Sequence, residues 1–161
     1  MTKAKVYIET SVISYLTAKP SRDIVVSACQ QITRDWWDIS RDHFELYVSA
    51  WVITEAAQGD PDAAKKRLDC LAGIEVLAVD EEAKGLARNL MVELSLPQNA
   101  AEDALHIAAA VVSGMDYLLS WNCRHIAHAR VAHDVMRYVQ SLGYPGTVLC
   151  TPQTLMEEYD E

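Results

Sequence analysis

Five short apolar runs recur along this chain, each followed by a longer stretch with helical punctuation, and that alternation limits the folds open to it. The runs lie at residues 5–8, 44–49, 74–79, 117–119 and 147–150. Over 23–39, Ile24, Ala28, Ile32 and Trp36 recur every fourth position, which marks one face of a helix. A short helix is expected at 51–58, broken by Gly59-Asp60-Pro61. Asp60 then caps a helix with Pro61 at its first position, running to about residue 72 before Gly73. Further helices are expected over 80–95, 99–113, 123–142 and 152–159. Strands alternating with helices imply parallel βαβ units and a sheet covered on both faces. Apolar runs without a polar alternation are what buried parallel strands need. The expectation is a single domain over 1–161. It is α/β, three-layered α/β/α, with a central, mostly parallel sheet of about five strands.

The chain has 161 residues, half of them apolar, so it can bury a core of its own. Its formal net charge is −9. Bulk charge therefore repels nucleic acid, and any RNA contact needs a local basic patch or a bound cation. A basic partner segment is favoured. The four cysteines, Cys29, Cys70, Cys123 and Cys150, are far apart and form no Cys-x-x-Cys, which argues against a zinc ribbon or a disulfide scaffold. The N-terminus has no signal-like apolar region, and no run of ~18 apolar residues exists. A soluble, cytoplasmic protein without membrane contact is expected.

In a parallel sheet, ligands collect beyond the carboxyl ends of the strands. Glu9 follows the first run directly, with Thr10 and Ser11 behind it as hydrogen-bonding or capping residues. Glu55 lies one short turn beyond the second run. Asp103 sits near the start of the 99–113 helix, on the same face as Ile107, Ala110 and Val111. Asn99 and Glu102 are spaced as a helix cap, which gives Glu102 a structural task and leaves Asp103 without one. An acid on an apolar stripe is costly unless it is paired or bound to a cation. Ser120 and Asn122 follow the fourth run, and Asn122 offers either a carbonyl oxygen to a cation or a turn-forming side chain. Oxygen donors converging from separate strand ends suit a hard divalent cation. His106, one turn after Asp103, is expected as a supporting or core residue. His125, His128 and His133 are expected on a helix surface. No glycine-rich nucleotide loop or hydrolase elbow is present.

The order of these segments resembles the PIN domains. Tyr-Ile-Glu-Thr-Ser-Val at 7–12 resembles their opening acidic motif, and Glu55 matches their second acid. Glu-Asp-Ala-Leu-His-Ile-Ala-Ala-Ala at 102–110 resembles their Asp-Ala-containing helix, and Leu-Leu-Ser-Trp-Asn-Cys-Arg-His-Ile at 118–126 their last motif. The match spans about residues 5–126 and looks most like the VapC-type toxins of toxin–antitoxin pairs. The resemblance implies an endoribonuclease dependent on Mg²⁺ or Mn²⁺, a homodimer, and a small antitoxin partner. It assigns Glu9, Glu55, Asp103 and Asn122 to catalysis and metal binding, with Thr10 and Ser120 supporting them. Lys19, Arg22 and Arg124 are candidate RNA contacts. Two positions depart from the family pattern. Glu9 stands where Asp is usual, so that Glu9→Asp is expected to restore the usual reach, and Asn122 stands where Asp is common. Those departures motivate a rival reading, a PIN-fold binding module that acts through partners. A phosphatase of another α/β family is disfavoured, because no nucleophilic Asp ends the first run.

Overall fold

The computed structural model describes residues 2–156. Five strands, β1 (Ala4–Ile8), β2 (Phe44–Ser49), β3 (Glu75–Leu77), β4 (Tyr117–Leu119) and β5 (Val148–Cys150), form one sheet in the order β3-β2-β1-β4-β5. Every neighbouring pair is parallel. The helices are α1 (Thr10–Thr17), α2 (Ile24–Asp35), α3 (Ala50–Ala56), α4 (Pro61–Leu71), α5 (Glu81–Glu93), α6 (Ala101–Val112) and α7 (Ala129–Ser141). The path steps outward from β1 through β2 to β3, then crosses back to β4 and β5. Right-handed crossovers put α1–α4 on one face and α5–α7 on the other. The contacts agree, since α1 packs on α2, α3 and α4 while α5 packs on α6. The result is the expected three-layer α/β/α architecture.

The strand order reverses between β1 and β4, which makes the carboxyl ends of these two strands the natural crevice. β1 is the central strand, and its Val6, Tyr7 and Ile8 are wholly buried. α6 is buried nearly all round, with Ala104, His106 and every residue from Ile107 to Val111 inside, and its small alanines at 104, 108, 109 and 110 let it pack closely on its neighbours. Leu118 and Leu119 fill the core beside them. Leu118→Ala is expected to cost about 2–5 kcal/mol in chemical denaturation, through lost burial and the cavity left behind.

Several element boundaries differ from the sequence reading, each for a local reason. α1 is a full helix in a segment for which the sequence reading names no helix. Its β-branched Thr10, Val12, Ile13 and Thr17 are weak helix formers, but burial of Val12 and Ile13 outweighs that preference. α2 ends at Asp35 and widens into a π turn, Trp36–Ser40, which buries Trp36. Asn99 does not cap α6. It lies in a 3-10 turn, Gln98–Ala100, and α6 starts from Ala100 with no side-chain cap. The 123–142 helix begins only at Ala129: Ile126 and Ala127 both donate to the Asn122 carbonyl in an isolated turn, and extended backbone at His128 separates that turn from α7. His125 is therefore in a loop, while His128 caps α7 by accepting from the Arg130 amide. Residues 152–155 form a turn rather than a helix, and residues 157–159 of the expected final helix lie outside the described residues. All four cysteines are free thiols. Among the described residues, no helix is long and apolar enough to cross a membrane.

Candidate metal centre

Glu9 is the first residue past β1 and the N-cap of α1, so strand end and helix start both fix it. Its Oε2 accepts from the Ser11 amide at 3.1 Å. Its Oε1 accepts from two hydroxyls, Ser11 Oγ at 2.5 Å and Ser120 Oγ at 2.5 Å. Each serine is aimed by a backbone amide: Trp121 N–H donates to Ser11 Oγ across the crevice, and Asn122 N–H donates to Ser120 Oγ within the loop after β4. The ends of β1 and β4 are thus laced together around one carboxylate, which is only 7% exposed.

Glu55 reaches the same place from the last turn of α3. Its Oε1 accepts from Thr10 Oγ1 at 2.6 Å and is 2.6 Å from His106 Nε2. His106 is buried, and its Nδ1 lies 2.7 Å from the Tyr7 hydroxyl. Tyr7 Oη is in turn 2.7 Å from Ser49 Oγ, which also caps α3 by accepting from the Val52 amide. Burial pushes the Tyr7 phenol well up from its ordinary value, so it keeps its proton and can donate. For Glu55, burial works against ionisation, but the His106 contact and then the Thr10 hydroxyl outweigh it and hold the carboxyl below its ordinary value of 4.5. A folded-state value below the unfolded one contributes stability at neutral pH that is lost as pH falls through the folded value. Glu55→Gln is accordingly expected to flatten the acid limb of a stability–pH curve taken down to about pH 3. Unfolding monitored across that range checks it.

A carboxylate oxygen of Glu9, one of Glu55 and a ring nitrogen of His106 all lie within 4.8 Å of one another. Donor accounting tests whether this set suits a cation. In each carboxylate, Oε1 already takes two donors and is filled. Oε2 of Glu9 takes one, and Oε2 of Glu55 takes none among the described residues, so each carboxylate keeps lone pairs for a cation. His106 is different. Both of its ring nitrogens are engaged, and 2.6 Å to Glu55 is a hydrogen bond rather than the spacing of two ligands around one ion. The carboxylates fit a hard divalent cation, and the imidazole supports one of them.

The other expected residues fall at varied places. Asp103 is half-buried in the first turn of α6, one turn from His106, and its Oδ2 lies 2.9 Å from His125 Nδ1. It is not within the 4.8 Å group. Asn122 uses its Oδ1 to accept from the Arg124 and His125 amides at 3.2 and 3.0 Å, which shapes the loop. Thr10 and Ser120 both touch a clustered carboxylate. Lys19, Arg22 and Arg124 are exposed. Trp121 anchors the loop after β4, stacking on Tyr15 and donating its indole N–H to Thr33 Oγ1 on α2 at 2.7 Å. Tyr7, Ser49 and His125 were missed as parts of the site. Tyr7 and Ser49 read as ordinary strand residues, and His125 read as part of a helix that does not extend that far.

Two solved structures share this architecture. VapBC2 from Rickettsia felis, in a crystal structure with a DNA fragment from its promoter, superposes with a TM-score of 0.58 and 13% identity. That match covers 91% of this chain and 98% of the other. VapC20 of Mycobacterium tuberculosis, a toxin that cleaves the sarcin–ricin loop, superposes with a TM-score of 0.58 and 16% identity, covering 74% and 91%. The chain has a VapC-like PIN fold. No protein-family model matches it, and no curated protein matches it in sequence. In this PIN fold the crevice at the β1/β4 switch point holds the clustered carboxylates.

Proposed function

We propose that the protein is a metal-dependent endoribonuclease, the toxin of a toxin–antitoxin pair, acting on single-stranded or structured RNA. The observation that carries this reading is the pair of carboxylates, Glu9 and Glu55, each with Oε1 filled by two donors and lone-pair capacity left on Oε2. Glu9 and Glu55 would hold Mg²⁺ or Mn²⁺, with Asp103 adding a third negative charge from the α6 face that carries His106. A bound cation of this kind polarises a phosphate and makes water a better nucleophile. Thr10, Ser11 and Ser120 hold the carboxylates in place, so that little reorganisation is needed when RNA arrives. Asn122 serves by fixing the loop that carries His125 rather than by giving its occupied oxygen to the ion.

RNA has to approach a chain of charge −9. Arg124 stands exposed in the loop next to Asn122 and His125. Lys19 lines an open cleft of about 890 Å³ between α1 and α4, together with Lys65, Lys66 and Arg67 and the acids Asp60, Asp62 and Asp69. Four cations against three acids make this region less repulsive than the rest of the surface. Lys19→Glu with Arg124→Glu is expected to weaken RNA binding by about tenfold and to reduce its salt dependence. A salt titration of binding to a labelled RNA checks both. A small antitoxin and a second copy of the chain are the proposed protein partners.

A binding module without catalysis is the second reading. It is favoured by Glu9, whose three protein donors satisfy it substantially without a cation. Incubating purified protein with a mixed RNA pool and Mn²⁺ separates the two. Cleavage that disappears in Asp103→Ala supports the enzyme, and intact RNA supports the module.

A further inference from the structure

We propose that His106 is a positioning residue for Glu55, and that Tyr7 and Ser49 set its tautomer. This rests on the metal-binding reading of Glu55. The proton order follows from counting donors. Ser49 Oγ accepts from the Val52 amide, and Tyr7 is the acceptor within reach of its own proton among the described residues. Ser49 therefore donates to Tyr7, Tyr7 donates to His106 Nδ1, and the His106 proton sits on Nε2 and is given to Glu55 Oε1. A proton on Nδ1 would reverse the Tyr7 hydroxyl and leave the Ser49 proton without an acceptor in a fully buried position.

The chain does two things at once. It fills Glu55 Oε1 together with Thr10, which leaves Oε2 as the oxygen for the cation. It also ties that choice to the centre of the sheet, because Tyr7 belongs to β1 and Ser49 ends β2. Ser49 caps the same helix that carries Glu55, so the start of α3 and its functional side chain are held by one run of hydrogen bonds. Groups that orient a metal ligand in this way typically change metal affinity 10–100-fold when removed.

The test is the affinity for Mn²⁺, read from the rise in melting temperature on titration, without any activity assay. Tyr7→Phe keeps the ring and removes the hydroxyl, and it is expected to weaken Mn²⁺ binding by about 10-fold or more. His106→Ala is expected to do the same, and His106→Gln to restore most of the affinity, because its amide N–H reaches the Nε2 position. If His106→Ala does not fold, Tyr7→Phe decides the matter. Two-bond ¹H–¹⁵N spectra of metal-free wild type should show His106 protonated on Nε2. Protonation on Nδ1, or unchanged Mn²⁺ affinity in folded Tyr7→Phe, overturns the positioning role while leaving the metal reading intact. A wild type that does not respond to Mn²⁺ overturns the metal reading, and the positioning role with it.

Discussion

Wild-type protein is expected to cleave RNA in the presence of Mn²⁺, and Glu55→Gln to lose about 10²–10³-fold of that rate. The substitution keeps the size of the side chain and can still accept from Thr10 and His106 through its amide oxygen. What it removes is the charge and one anionic oxygen. Loss of fold is therefore not the expected cause, and a melting curve alongside the rate measurement verifies this. Asp103→Ala is expected to remove activity as well. It also frees His125, whose Nδ1 is 2.9 Å from the Asp103 carboxylate. Asp103→Asn keeps a partner for that imidazole, so equal losses in the two variants would assign the effect to charge rather than to the contact. Cleavage that survives Glu55→Gln unchanged would place the chemistry elsewhere.

The second large effect is on stability. At about 100 times its dissociation constant, a cation that binds only the folded chain adds about 2.7 kcal/mol. For a chain of this length each kcal/mol raises the melting temperature by roughly 2–4 °C, so the expected rise in Mn²⁺ is about 5–10 °C. Glu9→Gln and Glu55→Gln should each abolish most of it. A melting temperature that stays constant across millimolar Mn²⁺ and Mg²⁺ would sink the metal centre and favour the binding module.

Glu9 shows how far the sequence could be read and where it stopped. Its place after the first apolar run was enough to put it at a strand's carboxyl end, and β1 does end at Ile8. Ser120 was legible for the same reason, and the two meet at 2.5 Å. What the sequence could not give was the reach of the longer arm. From sequence, an Asp at position 9 promises to restore the family's usual geometry. In the structure, Ser11 and Ser120 are set at the distance a Glu attains, so Glu9→Asp is now expected to lower activity by about 10–100-fold by pulling the carboxylate away from them. The kinetics of that one variant distinguish the two expectations. Asn122 was legible as a loop residue with two alternative uses, and only coordinates could show its oxygen accepting two amides. The Tyr7–His106 pair was beyond reach, because a contact between residues 99 positions apart follows from the packing of α6 on the sheet and from no local pattern.

The position of β1 also bears on how the chain comes to life during synthesis. Tyr7 pairs across to Leu118 on one side, and Glu9 receives its Ser120 hydroxyl from 111 residues downstream. On a ribosome, β1 waits with one edge bare while more than a hundred further residues emerge. Contacts so distant in sequence are slow to close. The pairing of β1 with β4 is also the one that brings Ser120 to Glu9, so the crevice is complete only when the sheet is. An unfinished chain carries Glu9 and Glu55 but neither the Ser120 that holds the first nor the His106 that holds the second, so under the proposed ribonuclease function a nascent chain would stay inert until its fourth strand is home.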